Sequence, residues 1–180
     1  MKKRLFILVE GGDDVRFFGR IVKPYFVSDY DSVEIIPYAC IKREKVNNFL
    51  KSVALMHNDY IFVSDIDFEH SVRDKKQILY HRFSQINGSS IVIVIREIES
   101  WYLAGLPFDA AAQMGITPYN STDDLTKEDF NSLIPRWFDS RIDFMFEILK
   151  YFSPERAAEK NRSFQFFIRR YHLKEYGIDN

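Results

Sequence analysis

The chain is almost without cysteine. Cys40 is the only one in 180 residues, so no internal disulfide can form, and a reducing compartment is the expected setting. Long apolar runs are missing too. The opening MKKRLFILVE has a basic start, but its apolar stretch, Leu5 to Val9, ends at Glu10 and is too short for the core of a secretory signal. No stretch approaches the roughly 20 apolar residues of a membrane span. A cytoplasmic protein without a membrane partner is therefore expected. Excess charge of either sign is lacking: 25 Lys and Arg stand against 26 Asp and Glu. Global electrostatics thus give no case for nucleic acid, and any such case must rest on local patches. Repeats and low-complexity tracts are absent. Among the four histidines, His57, His81 and His172 show no ligand spacing, and His70 is a lone loop residue.

What is present is a core. Hydrophobic residues make up 46% of the chain and aromatics 16%, a composition of packed globular proteins and not of disorder. The length suits one domain with room for a small second part.

Short apolar runs alternate with helical spacing as far as residue 95. Leu5 to Val9 reads as a buried strand closed by Gly11-Gly12. Phe18, Ile21, Val22 and Tyr25 then follow helical spacing, with Pro24 marking an end or kink. Ser32 to Ala39 is a second strand, nearer an edge because of Pro37. A helix from about Arg43 to His57 precedes a third strand, Tyr60 to Ser64. A polar helix, Ser71 to Ile86, stops at Asn87-Gly88. The run IVIVI within Ser90 to Ile95 is the signature of a strand buried on both faces. This βαβαβαβ order predicts a parallel four-stranded sheet with helices on both faces. Beyond it, helices are expected at Glu97 to Gly105, Pro107 to Met114, Lys127 to Phe138, Arg141 to Phe152 and Asn161 to Tyr176. The reading is an α/β domain over residues 1–105 and a helical C-terminal extension over 106–180.

Carboxylates stand at two of the strand ends. Glu10 follows the first strand, and Asp65 and Asp67 follow the third. Ligands of open α/β sheets bind at the carboxyl ends of strands. A 2-1-3-4 strand order would bring the two ends together. Acidic side chains gathered there repel one another unless a cation lies between them. D-x-D spacing on an extended segment points both side chains to one side, which suits a shared Mg²⁺ or Mn²⁺ ion. Such an ion serves phosphate chemistry, and with no evident side-chain nucleophile, water is the expected attacker. Asp14 is read either as a further ligand or as a helix cap. Glu97 and Glu99 could complete a second metal position or simply favour the start of a helix.

The pattern resembles the TOPRIM domain of topoisomerases, primases and several nucleases. The match is E-G-x-x-D-x-x-F (Glu10, Gly11, Asp14, Phe17) with D-x-D (Asp65, Asp67) after a later strand. The Glu10 to Asp14 spacing is similar to that of OLD-type nucleases. The segment Arg96-Glu97-Ile98-Glu99-Ser100-Trp101 resembles small stand-alone TOPRIM-like prokaryotic proteins. The resemblance covers residues 5–105. It implies Mg²⁺-dependent phosphodiester hydrolysis of DNA or RNA, with Glu10, Asp65 and Asp67 as catalytic metal ligands. The chain has no room for a topoisomerase's tyrosine domain, and the ATPase of OLD-type proteins would have to be separately encoded. Hydrolysis is the simplest chemistry left. Two rival readings are a TOPRIM-like module that binds nucleic acid or assembles without cleavage, and a D-x-D nucleotide-sugar transferase.

One basic stretch stands out. Lys160, Arg162, Arg169, Arg170 and Lys174 lie in an acid-free run that interleaves Phe164, Phe166, Phe167 and Tyr171. An amphipathic helix with an aromatic core face accounts for the rings. Its basic face could follow a phosphate backbone, with Lys160 and Arg162 as candidates for a charge clamp on the transition state.

Overall fold

The computed structural model describes residues 3–173. The chain divides into two compact units, Met1–Val94 and Ile95–Asn180. Among the described residues no helix is long and apolar enough to cross a membrane.

The first unit is a parallel four-stranded sheet in the order β2-β1-β3-β4, as the placement of the carboxylates requires. Its strands are β1 (Arg4–Val9), β2 (Ser32–Pro37), β3 (Asp59–Asp65) and β4 (Ile91–Val94). Central β1 is buried from Leu5 onward. Its even residues Phe6 and Leu8 join Val46, Leu50, Phe62, Leu79 and Phe83 in one core cluster. Its odd residues Leu5, Ile7 and Val9 are buried as well, so β1 is covered on both faces, and that is why it reads as a continuous apolar run. Pro37 closes β2, an outer strand, where its missing N–H costs no central ladder bond.

The helices between strands start where expected and differ in how they end. After Gly11, α1 (Gly12–Phe17) passes into a π segment (Phe18–Val22) and a 3-10 turn (Lys23–Phe26). The Lys23 N–H donates to the Phe18 carbonyl, the i to i+5 bond of the wider helix. Pro24, which cannot donate, sits where the chain tightens again. The second helix, α2, spans Arg43–Leu55. The third, α3 (Val72–Arg82), stops well before Ile86 because Phe83 turns to an extended backbone and is buried in the core. Asn87 does not stop that helix. It caps a 3-10 turn, Gly88–Ser90, accepting from the Ser89 N–H at 2.9 Å.

The second unit is helical: α4 (Glu99–Ala104), α5 (Phe108–Gln113), α6 (Lys127–Ser132), α7 (Arg141–Lys150), α8 (Pro154–Lys160) and α9 (Arg162–Arg170). Every residue of α4 is buried, so it is the core element of this unit. Gly105 follows it because a Cβ there would lie 2.2 Å from the Phe152 ring. The expected helix to Phe138 ends at Ser132, ahead of Pro135. An unexpected helix, α8, has the start signal Ser153-Pro154-Glu155: the Ser153 hydroxyl accepts from the Arg156 N–H, and Pro154 occupies the first turn.

A buried polar network ties α4 to α9. The Trp101 indole donates to Ser163 Oγ (2.7 Å), which donates to Asn161 Oδ1 (2.7 Å). Asn161 also accepts from the Phe164 N–H as the cap of α9. Its amide donates to Ser100 Oγ at 3.3 Å and Thr122 Oγ1 at 3.1 Å. Ser100 and Trp101, two residues of the segment Arg96 to Trp101, thus have a packing role. Asn161→Ala should cost about 2–3 kcal/mol in urea unfolding, from a missing cap and stranded buried hydroxyls. A loss below about 1 kcal/mol, the size of a cap alone, would show that the network is not cooperative.

Candidate active site

Three strand ends converge on Glu10. The β1–β2 pairing continues past the strands, with the Tyr38 N–H donating to the Val9 carbonyl at 2.8 Å. Glu10 then lies beside Ser64 and Asp65 of β3. Its Oε1 accepts from Ser64 Oγ at 2.7 Å and from the Asp65 N–H at 3.1 Å, and Tyr38 Oη lies 3.2 Å away. All three groups meet at one oxygen. Tyr38 Oη is also 3.1 Å from the Val63 carbonyl, and its ring stacks on Phe62 at 4.4 Å. Burial first, and the Glu10 carboxylate second, push the Tyr38 hydroxyl far above its ordinary pKa. It is therefore a permanent neutral donor.

Asp14 is not the cap residue of α1; Gly11 is. Asp14 sits one turn in, and its Oδ2 accepts the Gly11 N–H at 3.0 Å. It is 5% exposed, placed directly behind the Glu10-Gly11 bend. Asp13 pairs with Arg16.

Asp67 departs from the extended geometry expected of D-x-D. β3 ends at Asp65, and Asp67 has a left-handed backbone, φ +53°. Its carboxylate pairs with the ammonium of Lys75, a buried residue of α3. Asp65 and Asp67 therefore do not share one side of a strand. Among the described residues no three of His, Cys, Asp and Glu gather closely enough to hold a metal ion as they stand. Glu10 and Asp65 are the two carboxylates at this edge, and carboxylate oxygens are the ligand type that Mg²⁺ and Mn²⁺ prefer.

Tyr38, Ser64 and Lys75 were not singled out from sequence, though signals existed. The strand-end rule that picks Glu10 and Asp65 reaches Tyr38 only because β2 ends at Pro37, two residues short of the Ala39 expected from sequence. Lys75 lies four residues before Leu79, on the inward stripe of α3, where a lysine requires an anionic partner.

The remaining candidates belong to the second unit. Glu97 Oε2 accepts from the Lys127 N–H at 2.6 Å, at the start of α6. Glu99 is 3% exposed and paired with Arg141. Burial pushes its carboxyl up, and Arg141 pulls it back only in part. Lys160 is buried; its ammonium donates to the Leu106 carbonyl at 3.2 Å and lies 4.5 Å from the Phe108 ring centre. Burial holds it below the ordinary lysine range. Arg162 is fixed by Asp123, which takes its backbone N–H at 2.8 Å and its Nε at 2.7 Å. Arg169 is exposed, and Arg170 lies 5.8 Å from the ring centres of both Phe166 and Tyr171. Phe164 and Phe167 are buried, but Phe166 is 55% exposed and leaves the expected core face. Lys174 lies outside the described residues. No protein-family model matches the chain, and comparison with curated proteins and with solved structures finds no match.

Proposed function

We propose that the chain is a TOPRIM-like, Mg²⁺- or Mn²⁺-dependent hydrolase of phosphodiester bonds in nucleic acid. The observation that carries this reading is the joining of Glu10 to Asp65 across the ends of β1 and β3. In a 2-1-3-4 sheet the chain reverses its direction of winding between those two strands, and that switch point is where open α/β sheets bind ligands. Glu10 and Asp65 would hold the ion, with Asp14 behind them. When bound, the ion supplies Lewis-acid polarisation of a phosphoryl oxygen. Ser64, Tyr38 and the Asp65 N–H fix Glu10 through Oε1, which directs Oε2 toward the ligand. Lys75 balances Asp67 in the metal-free protein.

The Lys75–Asp67 pair favours a second reading, a nucleic-acid-binding module without cleavage. Incubation with single- and double-stranded DNA and RNA, with Mg²⁺, Mn²⁺ or chelator, separates the two. Metal-dependent product supports the hydrolase. Binding without product supports the module.

Exposed Arg169 and half-buried Arg170 at the end of α9 are a further candidate surface for phosphates. Arg169→Ala with Arg170→Ala should weaken binding and reduce the log–log salt slope by about 0.7 to 0.9 for each phosphate no longer neutralised. An unchanged slope with unchanged melting would remove α9 from the binding surface.

A further inference from the structure

Phe68 is 99% exposed, against 71% for Leu55, the next large apolar side chain. The turn that carries it is tied on both sides. The Ile66 N–H donates to the Val94 carbonyl at 2.9 Å, and the Glu69 N–H to the Ile66 carbonyl at 3.2 Å. Asp67 is held by buried Lys75, and Ser71 caps α3 by accepting from the Asp74 N–H at 3.1 Å. An ordered turn thus presents a whole ring to water, and the fold gains no burial from it.

Its surroundings indicate what it is for. Phe68 follows the Asp65 strand end, on the same edge as Glu10. In a parallel sheet the helix after each strand begins at that edge. There exposed Lys42, Arg43 and Lys45 surround exposed Glu44 at the start of α2, and exposed Arg73 stands next to exposed Asp74 at the start of α3. A fully exposed ring on the edge that carries the phosphodiester site of the reading above fits a substrate that itself carries aromatic rings. A duplex keeps its base faces stacked inside, so only unpaired bases can meet such a ring.

We propose that Phe68 is a stacking platform for an unpaired nucleobase beside the scissile phosphate, which makes single-stranded DNA or RNA the substrate class of this site. The inference rests on the phosphodiesterase reading above. The Phe68 ring buries nothing in the fold, so its substitution leaves folding intact and isolates binding.

The test is fluorescence anisotropy with labelled single-stranded DNA, single-stranded RNA and blunt duplexes of each. The proteins are the wild type and the Phe68→Ala, Phe68→Trp and Phe68→Leu variants, with melting curves on all four. Phe68→Ala should weaken single-strand binding about 5- to 100-fold, the range for loss of one stacked base, with duplex binding and melting unchanged. Phe68→Trp should keep the affinity, and Phe68→Leu should fall with Ala because it lacks a π face. The DNA and RNA arms identify the natural strand. A wild type that cleaves, joined to a Phe68→Ala variant that binds single strands equally well, overturns the platform and leaves the hydrolase standing. Full rescue by leucine, or Phe68-dependent binding to anionic phospholipid vesicles in place of oligonucleotides, also overturns it. A wild type that neither binds nor cleaves any oligonucleotide removes the hydrolase reading and the platform with it.

Discussion

Replacing Arg141 by alanine will destabilise the protein by about 3–5 kcal/mol, the cost of stranding a buried charge, with a fall in melting temperature on the order of 10 °C. Glu99 is 3% exposed and α4 is buried all round, so the carboxylate cannot reach water by a side-chain rotation. Arg141 is its charge partner, and the same guanidinium donates to Asn131 Oδ1 at 2.8 Å and lies over the Phe130 ring at 5.4 Å. The loss will depend on pH with a defined sign. The folded-state pKa of Glu99 is raised, so the fold favours its protonated form. That contribution is complete below the ordinary glutamate value and fades as pH rises through the folded value. Without Arg141 the folded value climbs further. The gap between variant and wild type should therefore be small near pH ~4 and widest above neutrality. Glu99→Gln should cost far less, because Arg141 is partly exposed and keeps Asn131 and Phe130. Denaturant titrations at several pH values check both. Equal losses for the two variants would contradict a burial-dominated Glu99.

Glu10→Gln should abolish metal-dependent cleavage, by about a thousandfold or more, since polarisation by a bound ion is worth several kcal/mol in the transition state. Stability should hold. The three groups around Glu10 meet at Oε1, and the glutamine carbonyl oxygen can take that position. Removing one negative charge beside Asp65 also relieves repulsion in the metal-free protein. Any thermal shift on adding Mg²⁺ or Mn²⁺ should shrink in parallel. A variant that melts several degrees lower without metal would mark Glu10 as a structural residue. A variant that melts normally and still cleaves would end the metal-site reading.

The sheet was legible because its strands are buried on both faces, and such strands are written as unbroken apolar runs. The strand order was expected from one condition, that the strands ending at Glu10 and Asp65 lie side by side. Helix ends were less legible, since they are settled by packing. Phe83 leaves α3 to enter the core, and Pro135 halts a pattern that composition alone would continue. The finer geometry of the site depends on distant partners. Asp67 takes its left-handed backbone in company with Lys75, eight residues on. Glu99 meets a guanidinium 42 residues away. Local spacing carries no record of either pairing.

The network around Asn161 also has a consequence for how the chain is made. A ribosome delivers residues in order, and domains fold as they emerge. The hydrogen-bond partners of Glu10 all lie within Met1–Val94, so the edge of the first unit can be complete while the rest is still being synthesised. α4 is in the opposite position. It emerges with a buried carboxylate, a serine and an indole N–H whose partners, Arg141, Asn161 and Ser163, come 42, 61 and 62 residues later. Until then the carboxylate and the indole lack those partners, Ser100 has only the Ile95 carbonyl five residues back, and the apolar faces have no cover. A chain cut short before residue 163 would carry a finished sheet and a sticky, half-satisfied helix.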